Sequence, residues 1–144
     1  IGRYAIGGTM EKIVVNPPGL AKPVGFSHGL EVTGGHLLFL SGQIAFDKDG
    51  NLVGRGDIVA QFRQVCENLK TLVEDRGGTL QDVVKLTIYI LNLDDYKAKG
   101  RAIGQAYRDY FGRHYPSMSL VEVKGLFNEE AGAMIEIEGI AALP

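Results

Sequence analysis

The sequence predicts a single α+β domain built on a mixed sheet with two helices on one face. Three observations carry that expectation. Strand-like and amphipathic stretches follow one another in the order β-β-β-α-β-α-β-β along 144 residues, which is one domain's length. A composition of 45% hydrophobic and 22% charged residues lies in the globular range and excludes a disordered or collagenous chain. Finally, the apolar run Leu37-Leu38-Phe39-Leu40 and the β-branched stretch Val83 to Leu91 offer apolar side chains to both faces of a sheet.

The elements follow from local chemistry. Residues 1–10 mix Gly, Arg and Tyr without period, have no signal-peptide apolar region, and read as a flexible end. Glu11 to Val15 reads as a short strand, closed by Asn16-Pro17-Pro18-Gly19, where proline removes ladder donors. Phe26 to Val32 and His36 to Ser41 read as strands separated at Gly34-Gly35. Asp47-Lys48-Asp49-Gly50-Asn51 is a hairpin tip with Asp-Gly as its signal; a calcium loop lacks its remaining ligands and closing glutamate. Asp57 is the expected N-cap of a helix whose apolar stripe is Ile58, Phe62, Val65, Cys66, Leu69, Leu72 and Val73. Gln61, Arg63, Gln64, Glu67, Lys70 and Glu74 fall on its polar side, and Gly77-Gly78 ends it. A second amphipathic helix is expected over Asp95 to Phe111, then strands over Ser117 to Val123 and Met134 to Ala141.

Two helices cover one sheet face, so the other needs a partner, and a second copy of the chain is the simplest one. A closed homo-oligomer is therefore expected. A formal net charge of −2 argues against a nucleic-acid partner, and no run of 18 apolar residues offers a membrane span. The one cysteine, Cys66, excludes an intrachain disulfide framework, suits a reducing cytoplasm, and sits on an apolar stripe as a core residue. The histidines His28, His36 and His114 show no metal-ligand spacing. No phosphate loop, dinucleotide fingerprint or Gly-x-Ser-x-Gly elbow is present. No metal and no cofactor is expected. In Ile135-Glu136-Ile137-Glu138-Gly139-Ile140-Ala141 the period of two puts both carboxylates on one face, which by spacing alone reads as a solvated carboxylate face; covered by a partner instead, such a group would be desolvated and suited to acid–base work.

Four blocks together resemble the RidA/YjgF family of enamine/imine deaminases: Ser41-Gly42-Gln43-Ile44, Gln64 to Lys70, Asp82 to Thr87, and Ile135 to Ala141. The likeness runs over roughly Leu20 to Ala141, so residues 20–144 read as one such domain and 1–19 as an N-terminal segment with a short strand. It implies a chorismate-mutase-like fold assembled as a homotrimer, with the sheets forming an internal barrel and small-molecule clefts between subunits. It also implies a cleft arginine that grips the carboxylate of 2-aminoacrylate and a glutamate that positions the attacking water.

The carry-over is incomplete. In Pro116-Ser117-Met118-Ser119-Leu120-Val121-Glu122-Val123 the arginine position is Met118 and the neighbouring cysteine position is Leu120, while the cleft tyrosine corresponds to Phe26. A thioether supplies neither charge nor donors to a carboxylate. Ser41, Gly42, the Leu120 amide and Glu136 remain. The resemblance thus implies Glu136 and Ser41 as catalytic groups and Phe26, Gly42, Met118 and Leu120 as binding groups. His28 is the foremost substitute cation, ahead of Arg113, His114 and Lys124. Weak or absent 2-aminoacrylate turnover is expected, with hydrolysis of another small enamine, imine or carbonyl compound as one reading. A non-catalytic trimeric binding module is the alternative, and the endoribonuclease activity attached to some relatives fits least.

Overall fold

The structure is a computed structural model that describes residues 10–144. The flexible end read for residues 1–10 lies, up to residue 9, outside the described residues.

A two-stranded antiparallel ribbon, β1 (Glu11–Val15) and β2 (Gly29–Thr33), stands apart from a four-stranded mixed sheet. That sheet comprises β3 (His36–Gln43), β4 (Val83–Ile90), β5 (Ser117–Glu122) and β6 (Ile135–Leu143), in the order β3-β6-β4-β5. β6 runs antiparallel to both neighbours, whereas β4 and β5 are parallel and therefore need a helical crossover between them. The expected strand from Phe26 begins only at Gly29; Phe26 precedes it, and Ser27 forms an isolated bridge with Ser117.

Helix α1 (Ile58–Asp75) starts where the sequence says it should. Asp57 accepts from the amides of Val59 and Ala60, each at 3.1 Å. Its end is a Schellman motif: the Gly77 amide donates to Glu74 and the Gly78 amide to Val73, with Gly77 at φ +83°. The predicted stripe is buried, with Leu72 only half so. The exception is Gln61, expected on the polar side but fully buried. Its amide donates to the carbonyls of Gly54 (3.1 Å) and Gly132 (2.9 Å), and its oxygen accepts from the Met134 amide (2.8 Å). A complete set of partners from two loops makes this burial tolerable.

The second predicted helix is two. α2 (Leu93–Ala98) is capped by Asn92, which accepts from Asp95, and α3 (Gly100–Phe111) follows after Lys99. Gly100, the weakest helix former short of proline, stands at the break. The described residues thus hold three α-helices rather than two, besides short 3-10 turns at Leu80–Asp82 and Glu129–Ala131. α1 and α3 pack on each other, and α1 packs on β3 and β6. Their buried side chains meet Leu40, Leu86, Ile88, Ile90, Ile135, Ile137 and Ala141 of the sheet. The other face is open: Leu37 is 60% and Phe39 70% exposed, beside Ile140, Thr87, Tyr89 and the two carboxylates. The turn at Asp47 is a hairpin tip as expected, with the Asp47 carboxylate accepting from Asp49 and Asn51 and Gly50 at φ +81°. No helix among the described residues is long and apolar enough to cross a membrane.

Candidate functional site

The residues singled out by sequence fall into two groups on opposite faces of the sheet. Parallel pairing sets Met118 beside Leu86 and Leu120 beside Ile88, so both side chains point to the helix-covered face. There they join Phe26 in the lining of a cavity of about 680 Å³, which α3 closes with Tyr107 and Arg108 and which also meets Tyr96 and Tyr115. Phe26 is held there by its neighbour. The Ser27 hydroxyl donates to the Tyr115 carbonyl at 2.6 Å, and the Ser27 amide donates to the Pro116 carbonyl at 3.2 Å.

Aromatic packing stiffens the wall. The rings of Tyr107 and Tyr115 stack at 5.5 Å with 6° between their planes, and Tyr107 stacks on Phe111 at 4.7 Å. The Tyr107 hydroxyl donates to the His114 carbonyl at 2.6 Å. Burial raises the phenol pKa of Tyr107 and pushes that of Tyr96 up to about 12, so both remain neutral donors near neutral pH. The lining contains no aspartate, glutamate or histidine.

The second group is on the open face. β3 slips register against β6 between Leu40 and Gln43, so Ser41 and Gly42 occupy a bulge opposite Glu138. Gly42 has no Cβ for a specific reason: one would overlap the Glu136 carboxylate oxygen Oε2. The bulge therefore seats Gly42 directly against Glu136. Ser41 and Glu138 share a groove of about 380 Å³ with Lys85 and Thr87. Tyr89 donates to Glu138 Oε1 at 2.6 Å; that hydrogen bond, with the carboxylate charge, raises the Tyr89 pKa. The expected alternation holds, with Ile135 and Ile137 buried and Glu138 exposed.

The substitute cations do not enter the cavity that holds Met118. His28 packs edge-on to Phe26 at 5.3 Å and engages the Ala21 carbonyl through Nε2 at 2.6 Å, outside the lining. Arg113 and His114 border an adjoining hollow that shares Phe26 and Tyr115, and the His114 ring meets the Val83 carbonyl. Lys124 is exposed beyond β5. The cation in the lining is Arg108, which sequence reasoning missed because it sits on the polar flank of an amphipathic helix. Lys85 and Tyr89 were missed for a related reason: the period of two places them with Glu138, but only the pairing of β4 with β6 shows them as neighbours. Cys66 is a core residue as expected; burial pushes its thiol up to about 12. Among the described residues no cluster of metal-ligating side chains occurs.

This mixed fold, with a strand bulge against a glutamate and a cavity behind the sheet, has relatives. The chain belongs to the RidA/YjgF family: the family model described as Endoribonuclease L-PSP matches residues 20–143. A RutC family protein of Pyrococcus abyssi is 37% identical over 133 residues, covering 92% of this chain and 98% of its own. Among solved structures, the Rid family protein YyfB of Yersinia pestis, a protein of unknown function, superposes with a TM-score of 0.81 at 36% identity, covering 92% of this chain and 98% of that one. A structure from Thermotoga maritima described as a putative endoribonuclease gives a TM-score of 0.65 at 37% identity, covering 83% and 87%.

Proposed function

We propose that this chain assembles as a homotrimer whose sheets enclose an internal barrel. In that assembly the cavity at Met118 of one subunit is completed by Ser41, Gly42 and Glu136 of a neighbouring subunit, forming a cleft that hydrolyses a small enamine, imine or related carbonyl compound. The observation that carries the reading is the division of the site residues by the sheet. Met118, Leu120 and Phe26 are on one side and Ser41, Gly42 and Glu136 on the other, so within one chain they do not share a cavity. The exposed Leu37 and Phe39 supply an apolar surface for the assembly, of the kind that marks interaction sites.

In this reading the Glu136 carboxylate accepts a proton from water as the water oxygen bonds to the imine carbon and the C=N electron pair moves to nitrogen, which takes up a proton. Glu136 then returns its proton to that nitrogen, the hydroxyl of the adduct gives up its own, and collapse breaks the C–N bond, releasing ammonia and leaving a carbonyl product. The amides around the bulge and the Leu120 amide orient the substrate. Met118 offers no charge to an imino acid's carboxylate, so turnover of 2-aminoacrylate is weak.

The test is ammonia release from a panel of enzymatically generated imines by the wild-type protein and by Glu136→Gln. Turnover by the wild type that falls at least a hundredfold in the variant is expected, as for loss of an acid–base group. Equal release by both forms overturns the catalytic role. A second reading, a trimeric small-molecule binding module without turnover, is favoured by one observation: the cavity lining holds no acid–base carboxylate or imidazole of its own. Ligand binding with no substrate consumed by either form decides for it.

A further inference from the structure

We infer that Arg108 is the anion anchor of the cavity at Met118, and that the ligand is a monocarboxylate with an aromatic or branched apolar body, its carboxylate at the rim on α3 and its body against β5. This inference rests on the proposed reading only in taking the cavity as the ligand site.

Four observations carry it. Arg108 is the one charged side chain in the lining, so an anion entering the cavity has a single place to be neutralised. Its guanidinium has no direct ion pair: its hydrogen bond is to the neutral Gln105 side chain at 3.2 Å, and among the described residues no carboxylate lies within 4.0 Å of it, Asp109 feeling its charge only at longer range while pairing directly with Arg63. Gly104, one turn before it on α3, leaves the approach bare; a Cβ there would lie 3.4 Å from the Arg108 Nη1. The planar fork of a guanidinium matches a carboxylate through two parallel hydrogen bonds, and one cation balances one negative charge.

The remaining wall sets the rest of the ligand. Phe26, Tyr96, Tyr115, Met118 and Leu120 present rings and aliphatic surface, with the Tyr107 hydroxyl already committed to the His114 carbonyl. Within one subunit the cavity measures about 680 Å³, which leaves room for a body larger than a three-carbon acid beside the residues a neighbour would bring. Met118, deep on the strand, then packs against the ligand body. The polarity is the reverse of a cleft whose arginine stands on that strand: charge at the helix, apolar end at the sheet.

The test is isothermal titration of the full chain with phenylacetate, phenylacetamide and phenyl phosphate, on the wild type, Arg108→Gln and, as a control on the same helix, Arg101→Gln. Expected are binding of phenylacetate in preference to the amide, about tenfold weaker phenylacetate binding in Arg108→Gln, and unchanged binding in Arg101→Gln. The amide should bind Arg108→Gln as it binds the wild type, which also shows the variant's cavity intact. Equal phenylacetate affinity in wild type and Arg108→Gln overturns the anchor. Tighter binding of phenyl phosphate overturns the carboxylate class, and no binding of either acid or amide overturns the cavity's occupant altogether. Because no turnover is measured, failure of Glu136 to support catalysis leaves these outcomes untouched, and failure here leaves the Glu136 assay standing.

Discussion

The two faces of the four-stranded sheet are made by the same strands, yet they are finished differently. On the helix side, Leu40, Leu86, Ile88, Ile90, Ile135 and Ile137 are all less than 5% exposed and locked against α1 and α3. On the other side, Leu37 and Phe39 stand open beside Glu136, Glu138 and Lys85, and a hydrogen bond from Tyr89 ties down Glu138. The first face holds the chain together; the second presents carboxylates and apolar surface outward. Substitutions on the two faces should therefore differ in kind as well as in size.

The largest loss of chain stability is expected at Gln61. Gln61→Ala strips two carbonyls and an amide of their buried partner and should cost about 4 kcal/mol in urea unfolding at constant m-value. Gly139→Ala comes next, at about 2 kcal/mol. Its Cβ would overlap the Lys85 carbonyl oxygen and approach Leu86 Cδ2 to 2.9 Å, and strand backbone gives way less easily than a side chain.

Alkali sharpens the comparison further. The Cys66 thiol is raised from 9.0 to about 12 and the Tyr96 phenol from 10.0 to about 12, both chiefly by burial on the helix side. Between pH 9 and 12 the unfolded chain releases protons that the folded chain keeps, so stability is intact below pH 9 and falls as pH rises toward 12. Urea midpoints across that range check the slope. Iodoacetamide at pH 8 should leave Cys66 unmodified in the folded protein and alkylate it in urea.

The smallest effect on the chain is expected from Phe39→Lys on the open face, within about 0.5 kcal/mol of unfolding free energy for the isolated subunit. Its consequence lies in assembly: light scattering should report a lower mass than the wild type. A wild-type-like mass for Phe39→Lys would break the comparison by removing the open face from the interface. Gly42→Ala tests the same face differently. Its Cβ displaces the mobile end of Glu136 rather than backbone, so the melting temperature should hold while Glu136-dependent turnover drops.

How much was legible in the sequence followed from how local the determining physics is. Asp57, Gly77 and the stripe from Ile58 to Val73 act within one or two turns, so α1 was readable almost to the residue. The burial of Gln61 was not, because its partners at Gly132 and Met134 are about 70 positions away and its residue type alone argues for solvent. The break at Lys99 was hidden because apolar spacing continues across it. Of the candidate site, the sequence named residues but could not say how they are arranged. Register decides which face Met118 and Glu136 occupy, and only the pairing of β6 with β4 and β4 with β5 sets it. Arg108 carried no signal beyond being a polar residue on a polar flank.

The parallel pairing of β4 with β5 has a consequence for how such a protein diversifies. The crossover it requires, α2 and α3, is the same stretch that walls the cavity, so Ile88 through Leu120 supplies most of the lining from one continuous piece of chain. The bulge at Ser41-Gly42 and the carboxylates of β6 are encoded elsewhere and lie behind a sheet. Exchange or drift within the crossover can therefore reshape the cavity while the carboxylate face is left as it is. In a lineage of such proteins, substitutions at Met118 and Arg108 can then accumulate without an accompanying change at Glu136.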